Sequence, residues 1–100
     1  MVLINLSLTT LYYDFKNLKK GVKMLLDEMI IDENNMGFIP SLGISFQLNS
    51  SAKEIINLIK EHKSKDEIIQ TIASNYNLKW QDVYIDVEDF FQKLSIYGLV

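Results

Sequence analysis

The residues best suited to metal chemistry are three acidic side chains near the C-terminus. Asp82, Asp86 and Asp89 lie three or four positions apart, a spacing that places them on one stripe of a helix. Carboxylates in such a stripe could contribute to a metal site. We interpret them instead as a solvated face that favours the helix N-terminus and pairs with lysine, with Lys93 a turn further on. The same stripe would repel DNA phosphates, so this helix is a poor candidate for a recognition helix.

Other chemically useful residues are sparse. His62 is the only histidine, there is no cysteine, and no glycine-rich phosphate-binding loop is present. We expect His62 at the end of a helix on its apolar side, packed or stabilising the helix rather than acting as a base. Trp80 and Tyr84 could form a stacking platform, but aromatic residues at this spacing more often pack. The sequence therefore predicts a protein that is not an enzyme and holds no cofactor or metal.

Composition limits the class of protein further. One hundred residues, 48% of them hydrophobic, fit one domain with a real core. The absence of cysteine suits a reducing cytoplasm, and we find neither a signal peptide nor a membrane-spanning run. The net charge is −3, and all ten basic residues are lysines. Because phosphate binding needs clustered positive charge and base recognition relies heavily on arginine, no nucleic acid partner is expected.

The first 22 residues are predicted to form an arm and connector that precede the main domain. Apolar residues occupy even positions over residues 2–8, which favours a strand. The lysine-rich segment around Gly21 is typical of a connector. We therefore divide the chain into an arm with a further strand, residues 1–22, and a domain, residues 23–100.

Three short strands are predicted to open the main domain. The run LLDEMIID at residues 25–32 is apolar enough for a strand, and ENNMG supplies residues that suit a reversing loop. Pro40 cannot donate to a ladder and belongs at a strand end. In ISFQL, residues 44–48, apolar and polar residues alternate, so one face should be buried and the other solvated.

Three helices are predicted to follow. In FQLNSSAKEII, residues 46–56, a strand passes into a helix without a spacer. Asn49, Ser50 and Ser51 are candidate N-caps, and Ser51 with Glu54 fits a capping box. Ser64 and Glu67 fit a second box. The third helix is expected from Trp80 to about residue 97, ending at Gly98. The predicted inner residues are Ala52, Ile55, Ile56, Ile59 and His62, then Ile68, Ile69, Ile72, Ala73 and Tyr76, then Val83, Val87, Phe90, Phe91 and Leu94.

This order predicts an α+β fold that is winged-helix-like, a three-stranded antiparallel sheet followed by a three-helix bundle. The segments FQLNSSAKEI, KDEIIQTIASNY and DVEDFFQKLSIYGLV resemble the coenzyme PQQ synthesis protein D family and the recognition elements of ribosomal-peptide biosynthesis that share its fold. The resemblance covers residues 23–100. One departure is EHKSKDE between the first two helices, where the family usually has an Asp-Gly turn.

The resemblance implies a cytoplasmic adaptor that binds the leader segment of a precursor peptide and presents the core segment to a modifying enzyme, often a radical-SAM enzyme. The leader would add as a strand along the third strand, with side chains reaching a groove beside the third helix. Adding a strand to an exposed edge is a general mode of peptide recognition. The implied site residues are Ile44, Ser45, Phe46, Gln47 and Leu48 on the strand, and Val83, Val87, Phe90, Phe91, Leu94 and Tyr97 on the helix.

Two other classes of protein stay open from the sequence. A winged-helix DNA-binding regulator shares the outline, but its second helix would offer only Lys65 as a basic residue. An oligomerisation module is the other, in which the arm pairs with a sheet edge of a second copy to form a homodimer. The arm could also pair with the edge of the third strand in its own chain, and it would then compete with a leader.

Overall fold

The computed structural model describes the backbone of residues 6–10 and the full residues 25–100. The elements in chain order are strand β1, a 3-10 helix, strands β2 to β4 and helices α1 to α3. Their bounds are Leu6–Thr10 for β1, Leu25–Glu28 for the 3-10 helix, Ile30–Ile31 for β2, Met36–Ile39 for β3, Ile44–Leu48 for β4, Ser50–Lys60 for α1, Lys65–Tyr76 for α2 and Trp80–Ile96 for α3. No helix within these ranges is long and apolar enough to cross a membrane.

The fold is α+β, as predicted, with the β2, β3 and β4 strands preceding the three helices. These strands form an antiparallel sheet, and β1 adds to it on the far side of β4, giving the order β1-β4-β3-β2. Residues 2–5 of the predicted arm strand and the whole predicted connector lie outside the described residues. Because β1 pairs with β4 of the same chain, β4 is an inner strand rather than an open edge.

The predicted strand at residues 25–32 is only partly correct. Its first half is the 3-10 helix, and only Ile30 and Ile31 join the sheet. The amide of Leu26 donates to the carbonyl oxygen of Leu99 over 3.0 Å, which ties this segment to the C-terminus instead of a neighbouring strand. Gly37 allows close packing here, since a Cβ atom at that position would lie 2.6 Å from Met29 Sδ.

The two predicted capping boxes have different outcomes. Ser64 and Glu67 form theirs in both directions, with backbone-to-side-chain distances of 3.0 and 3.1 Å. The box of Ser51 and Glu54 is wrong, because Asn49 is the N-cap of α1 and accepts from the Ala52 amide over 2.9 Å. Ser51 is the second residue of α1 and therefore lies past the capping position, although Asn49 was itself one of the candidate N-caps.

A single core lies between the sheet and the helices. Most of its residues were predicted to be inside, and the core residues that were not predicted are Leu26, Met29, Ile39, Leu42 and Leu99. Two predictions were wrong in part. His62 lies beyond α1 and is exposed, and Tyr76 is 39% exposed. His62 takes the left-handed conformation with φ of 63°, which glycine normally adopts after a helix.

Candidate functional site

Strand β4 is the centre of the candidate site. Ile44, Phe46 and Leu48 are each at most 3% exposed, whereas Gln47 on the opposite face is exposed and Ser45 is half-buried. The predicted alternation is therefore confirmed. The strand turns directly into α1, where Asn49 caps the helix, so the end of β4 is fixed to the helical layer.

The outer side of β4 carries β1 as an antiparallel neighbour. Leu6 lies opposite Leu48, and Leu8 lies opposite Phe46. The register shifts between Leu8 and Thr10, a local irregularity of the kind seen at sheet edges. The position implied for a bound leader is thus filled by β1 of the same chain, which confirms the within-chain pairing of the arm that the sequence left open.

The helix residues of the implied site divide into two groups. Four of them belong to the fully packed core and are at most 2% exposed: Val83, Val87, Phe90 and Leu94. Phe91 and Tyr97 are partly buried and pack against that core. A residue with no exposed surface shapes the floor of a groove but cannot contact a ligand while the core stays closed.

Tyr97 is the helix residue that contacts β4 directly. Its ring meets the Phe46 ring edge-on, with centroids 5.2 Å apart and an interplanar angle of 67°. Tyr97 follows the last turn of α3 as its C-cap, and Gly98, with φ of 75°, ends the helix as predicted. This aromatic contact therefore joins the C-terminal end of α3 to the middle of β4.

Phe91 lies on another side of α3. The Lys65 Nζ atom sits 4.9 Å from the centroid of its ring, and the same ammonium group forms a 3.0 Å ion pair with Glu88. These contacts join α3 to the start of α2. The structure thus places Phe91 beside the start of α2, and its role in the groove stays a prediction.

Asp86 was predicted to lie on a solvated face of α3 and not in the peptide site, but the structure buries it in part. Asp86, Phe90, Lys93 and Tyr97 follow spacings of four, three and four, which place them along one face of α3. Asp86 is half-buried, and its Oδ2 atom is buried without a hydrogen-bond partner among the described residues. The spacing from Tyr97 could have singled it out, but its burial could not be seen in the sequence.

Burial is the main cause that raises the pKa of the Asp86 carboxyl, and the neighbouring Asp89 and Asp82 carboxylates raise it further. Asp82 and Asp89 are themselves exposed. The predicted pairing of this stripe with Lys93 does not occur in the part of the chain that the structure describes. A cation placed beside Asp86 would stabilise its ionised form.

Trp80 and Tyr84 form an exposed pair at the start of α3. Their ring centroids are 6.5 Å apart at an interplanar angle of 79°, and the residues are 53% and 47% exposed. Neither belongs to the core, so of the predicted packing in the core or at its rim only the second fits, through their mutual edge-to-face contact. They lie apart from the face of α3 that carries Tyr97.

A comparison with protein families places this geometry in context. The family model described as Coenzyme PQQ synthesis protein D (PqqD) matches residues 19–100. The chain belongs to the PqqD family. The match confirms the resemblance and includes β2 to β4 and all three helices, whereas β1 lies before it. No curated protein matches the chain, and no solved structure matches it. Membership in the PqqD family supports an accessory role in the biosynthesis of PQQ or of another modified peptide.

Proposed function

We propose that this PqqD-family protein is a non-catalytic adaptor of the cytoplasm that binds the leader of a ribosomally synthesised precursor peptide. It presents the precursor to a modifying enzyme, for which a radical-SAM enzyme is the strongest candidate. The observation that carries the proposal is the antiparallel pairing of an extended segment, β1, along β4. The side of β4 that faces away from β3 is therefore suited to receiving a peptide strand.

Two kinds of contact contribute when a peptide adds to a sheet as a strand. Main-chain groups of β4 supply affinity that does not depend on sequence, while side chains beside the strand supply selectivity. Tyr97 is the best placed of these, because it is partly exposed and contacts Phe46. Asp86 and Lys93 share its face of α3 and add one charge of each sign.

The charges of α2 favour this proposal over a DNA-binding regulator. Lys65 is the only basic residue of α2, and its ammonium group is already engaged by Glu88 and Phe91. A recognition helix needs free cationic side chains for phosphates and base edges. The same helix begins with Asp66 and Glu67, which would repel the DNA backbone.

Titration of the full-length protein with a synthetic leader tests the proposal. The leader is taken from the short open reading frame beside the gene, and binding is followed by calorimetry. We expect saturable binding at micromolar concentrations or below. Tyr97→Ala should weaken it about five- to ten-fold, because an aromatic contact contributes about 1 kcal/mol. Ile96→Ala is the matched control, since Ile96 is 81% exposed and lies one position away.

Two results would contradict the adaptor function. One is the absence of binding to any leader encoded nearby, accompanied by salt-sensitive binding to duplex DNA. The other is equal leader affinity of the Tyr97→Ala variant and the unchanged protein. Phe46 and Phe90 are less informative positions, because both are at most 2% exposed and truncation would disturb the fold itself.

A further inference from the structure

The register of β1 matches the burial pattern of β4 residue by residue. Leu6 and Leu8 lie opposite Leu48 and Phe46, which are buried, and Ser7 lies opposite Gln47, which is exposed. In an antiparallel pair, residues directly opposite each other belong to the same face of the sheet. The Leu-Ser-Leu sequence of the arm is therefore complementary to this strand in pattern as well as in position.

Only one strand at a time can pair with the outer side of β4. A strand in a sheet has hydrogen-bonding groups on two sides, and those of β4 face β3 on one side and β1 on the other. Another peptide can add to β4 only where β1 has left. The register shift after Leu8 limits the regular part of the pairing to Leu6, Ser7 and Leu8, so exchange breaks a short ladder.

We infer that β1 is an internal surrogate of the peptide ligand, so that binding at β4 proceeds by exchange of β1 for a peptide of the same pattern. This inference rests on the proposed function and specifies its ligand. The ligand class is an extended segment antiparallel to β4, with large aliphatic residues two positions apart and a small polar residue between them. The free protein is self-occupied, and a peptide without this pattern does not displace the arm.

Covalent attachment sets the strength of this competition. An intramolecular segment acts at an effective concentration of the order of millimolar when its tether can span the sites. A free peptide with only the arm's own affinity is therefore a weak competitor against the intact chain. A productive leader needs contacts beyond those of β1, and the Tyr97 face of α3 is where the fold offers them.

A reversible disulfide tests the exchange within the full chain. The protein has no cysteine, so the double variant Ser7→Cys/Gln47→Cys contains one possible intramolecular bridge. Directly opposed Cα atoms in antiparallel strands are about 4.5 to 5.5 Å apart, within the range that disulfides span. We expect the oxidised monomer to bind the synthetic leader at least ten-fold more weakly than the same protein after reduction. Gln47→Cys alone is the control and should show no redox effect.

A second experiment tests the release of β1 from β4 without using the leader. The probe is a fluorescein-labelled peptide of residues 2–12, and binding is followed by anisotropy. Leu8→Lys places a charge opposite the buried Phe46 and should therefore release β1. This variant should bind the probe at least ten-fold more tightly than the unchanged protein. Ser7→Lys places the same charge opposite exposed Gln47 and should behave like the unchanged protein. Circular dichroism confirms that each variant is folded.

The outcomes separate this inference from the proposed function. Leader binding that is equal in the oxidised and reduced forms leaves the adaptor function standing and overturns the exchange. Selective probe binding by Leu8→Lys, with no leader bound by any form, supports the surrogate and removes the leader-binding function. A disulfide-linked dimer in place of the bridged monomer, or no probe binding by Leu8→Lys, overturns the inference.

Discussion

The two flanks of α3 differ in how their charges are satisfied. On the flank toward α2, Glu88 pairs with Lys65 at 3.0 Å, and the same lysine lies over the Phe91 ring. On the flank that carries Tyr97, Asp86 keeps a buried oxygen that has no hydrogen-bond partner in the described part of the chain. The flank toward α2 is therefore a structural interface in which the charges of Glu88 and Lys65 are paired. The other retains a polar group that a ligand could satisfy.

This difference separates a stabilising flank of α3 from the flank that we propose for recognition. Buried polar groups in proteins are normally paired, so an unpaired one marks either a cost in stability or a functional surface. Between the two flanks, Val83, Val87, Phe90 and Leu94 anchor α3 in the core. A substitution should therefore act on stability, on binding or on neither, according to the side of α3 on which it lies.

The largest effect is expected in the core between the flanks. Phe90→Ala should lower the free energy of unfolding by about 3–5 kcal/mol, the usual cost of truncating a buried phenylalanine, because Phe90 is only 2% exposed. Phe91→Ala is the matched control and should cost clearly less, since Phe91 is only partly buried. Urea denaturation followed by circular dichroism measures both. Equal costs would contradict the assignment of Phe90 to the core.

A smaller, pH-dependent effect is expected from Asp86. Burial raises its folded-state pKa, so ionisation of Asp86 lowers stability as the pH rises from the unfolded-state pKa, and the loss is complete above the folded-state pKa. Asp86→Asn should therefore raise stability at pH 7, by less than about 1 kcal/mol for a group that solvent still reaches. The gain should shrink as the pH falls and vanish below the unfolded-state pKa of about 3.9.

Thermal unfolding of both proteins between pH 3 and pH 7 measures this difference. A gain that stays constant across that range, or a loss of stability at pH 7, would show that Asp86 is satisfied in the folded protein. The two flanks of α3 would then not differ in whether their charged groups are satisfied.

The smallest effect is expected on the flank toward α2. Lys65→Ala removes both the ion pair with Glu88 and the contact with Phe91, and should cost about 0.5–1 kcal/mol because these groups are partly solvated. Part of the loss should disappear in 1 M salt. Lys63→Ala, at an exposed lysine of the preceding turn, is the control for a general charge effect. Denaturation at low and high salt distinguishes the two, and equal losses would argue against a specific contact.

Local signals in the sequence predicted much of the helical layer. Ser64 and Glu67 form their capping box, and α3 starts at Trp80 and ends before Gly98, because capping and periodicity depend on neighbours three or four positions away. The choice of Asn49 over Ser51 as N-cap could not be made this way. Asn49, Ser50 and Ser51 all have side chains that can cap a helix, so local signals left the choice among them open.

The parts that could not be predicted depend on contacts distant in the sequence. The segment at residues 25–28 has an apolar run that suits a strand, but the hydrogen bond from Leu26 to Leu99 places it against the C-terminus. Helical periodicity assigned both Phe90 and Phe91 to the buried face of α3. The rotation of α3 about its axis, which its packing sets, buries Phe90 and leaves Phe91 only partly buried. The same rotation buries one oxygen of Asp86.

The central claim, that β4 and the adjoining face of α3 receive a peptide in place of β1, is tested most directly by amide chemical shifts. The full-length, isotope-labelled protein is titrated with the synthetic leader. We predict that shift changes concentrate in Leu6–Thr10, Ile44–Leu48 and the last turns of α3 near Tyr97, while the amides of Lys65 and Glu88 stay in place. Changes confined to β2 or to the flank toward α2, with Leu6–Thr10 unchanged, would contradict the account.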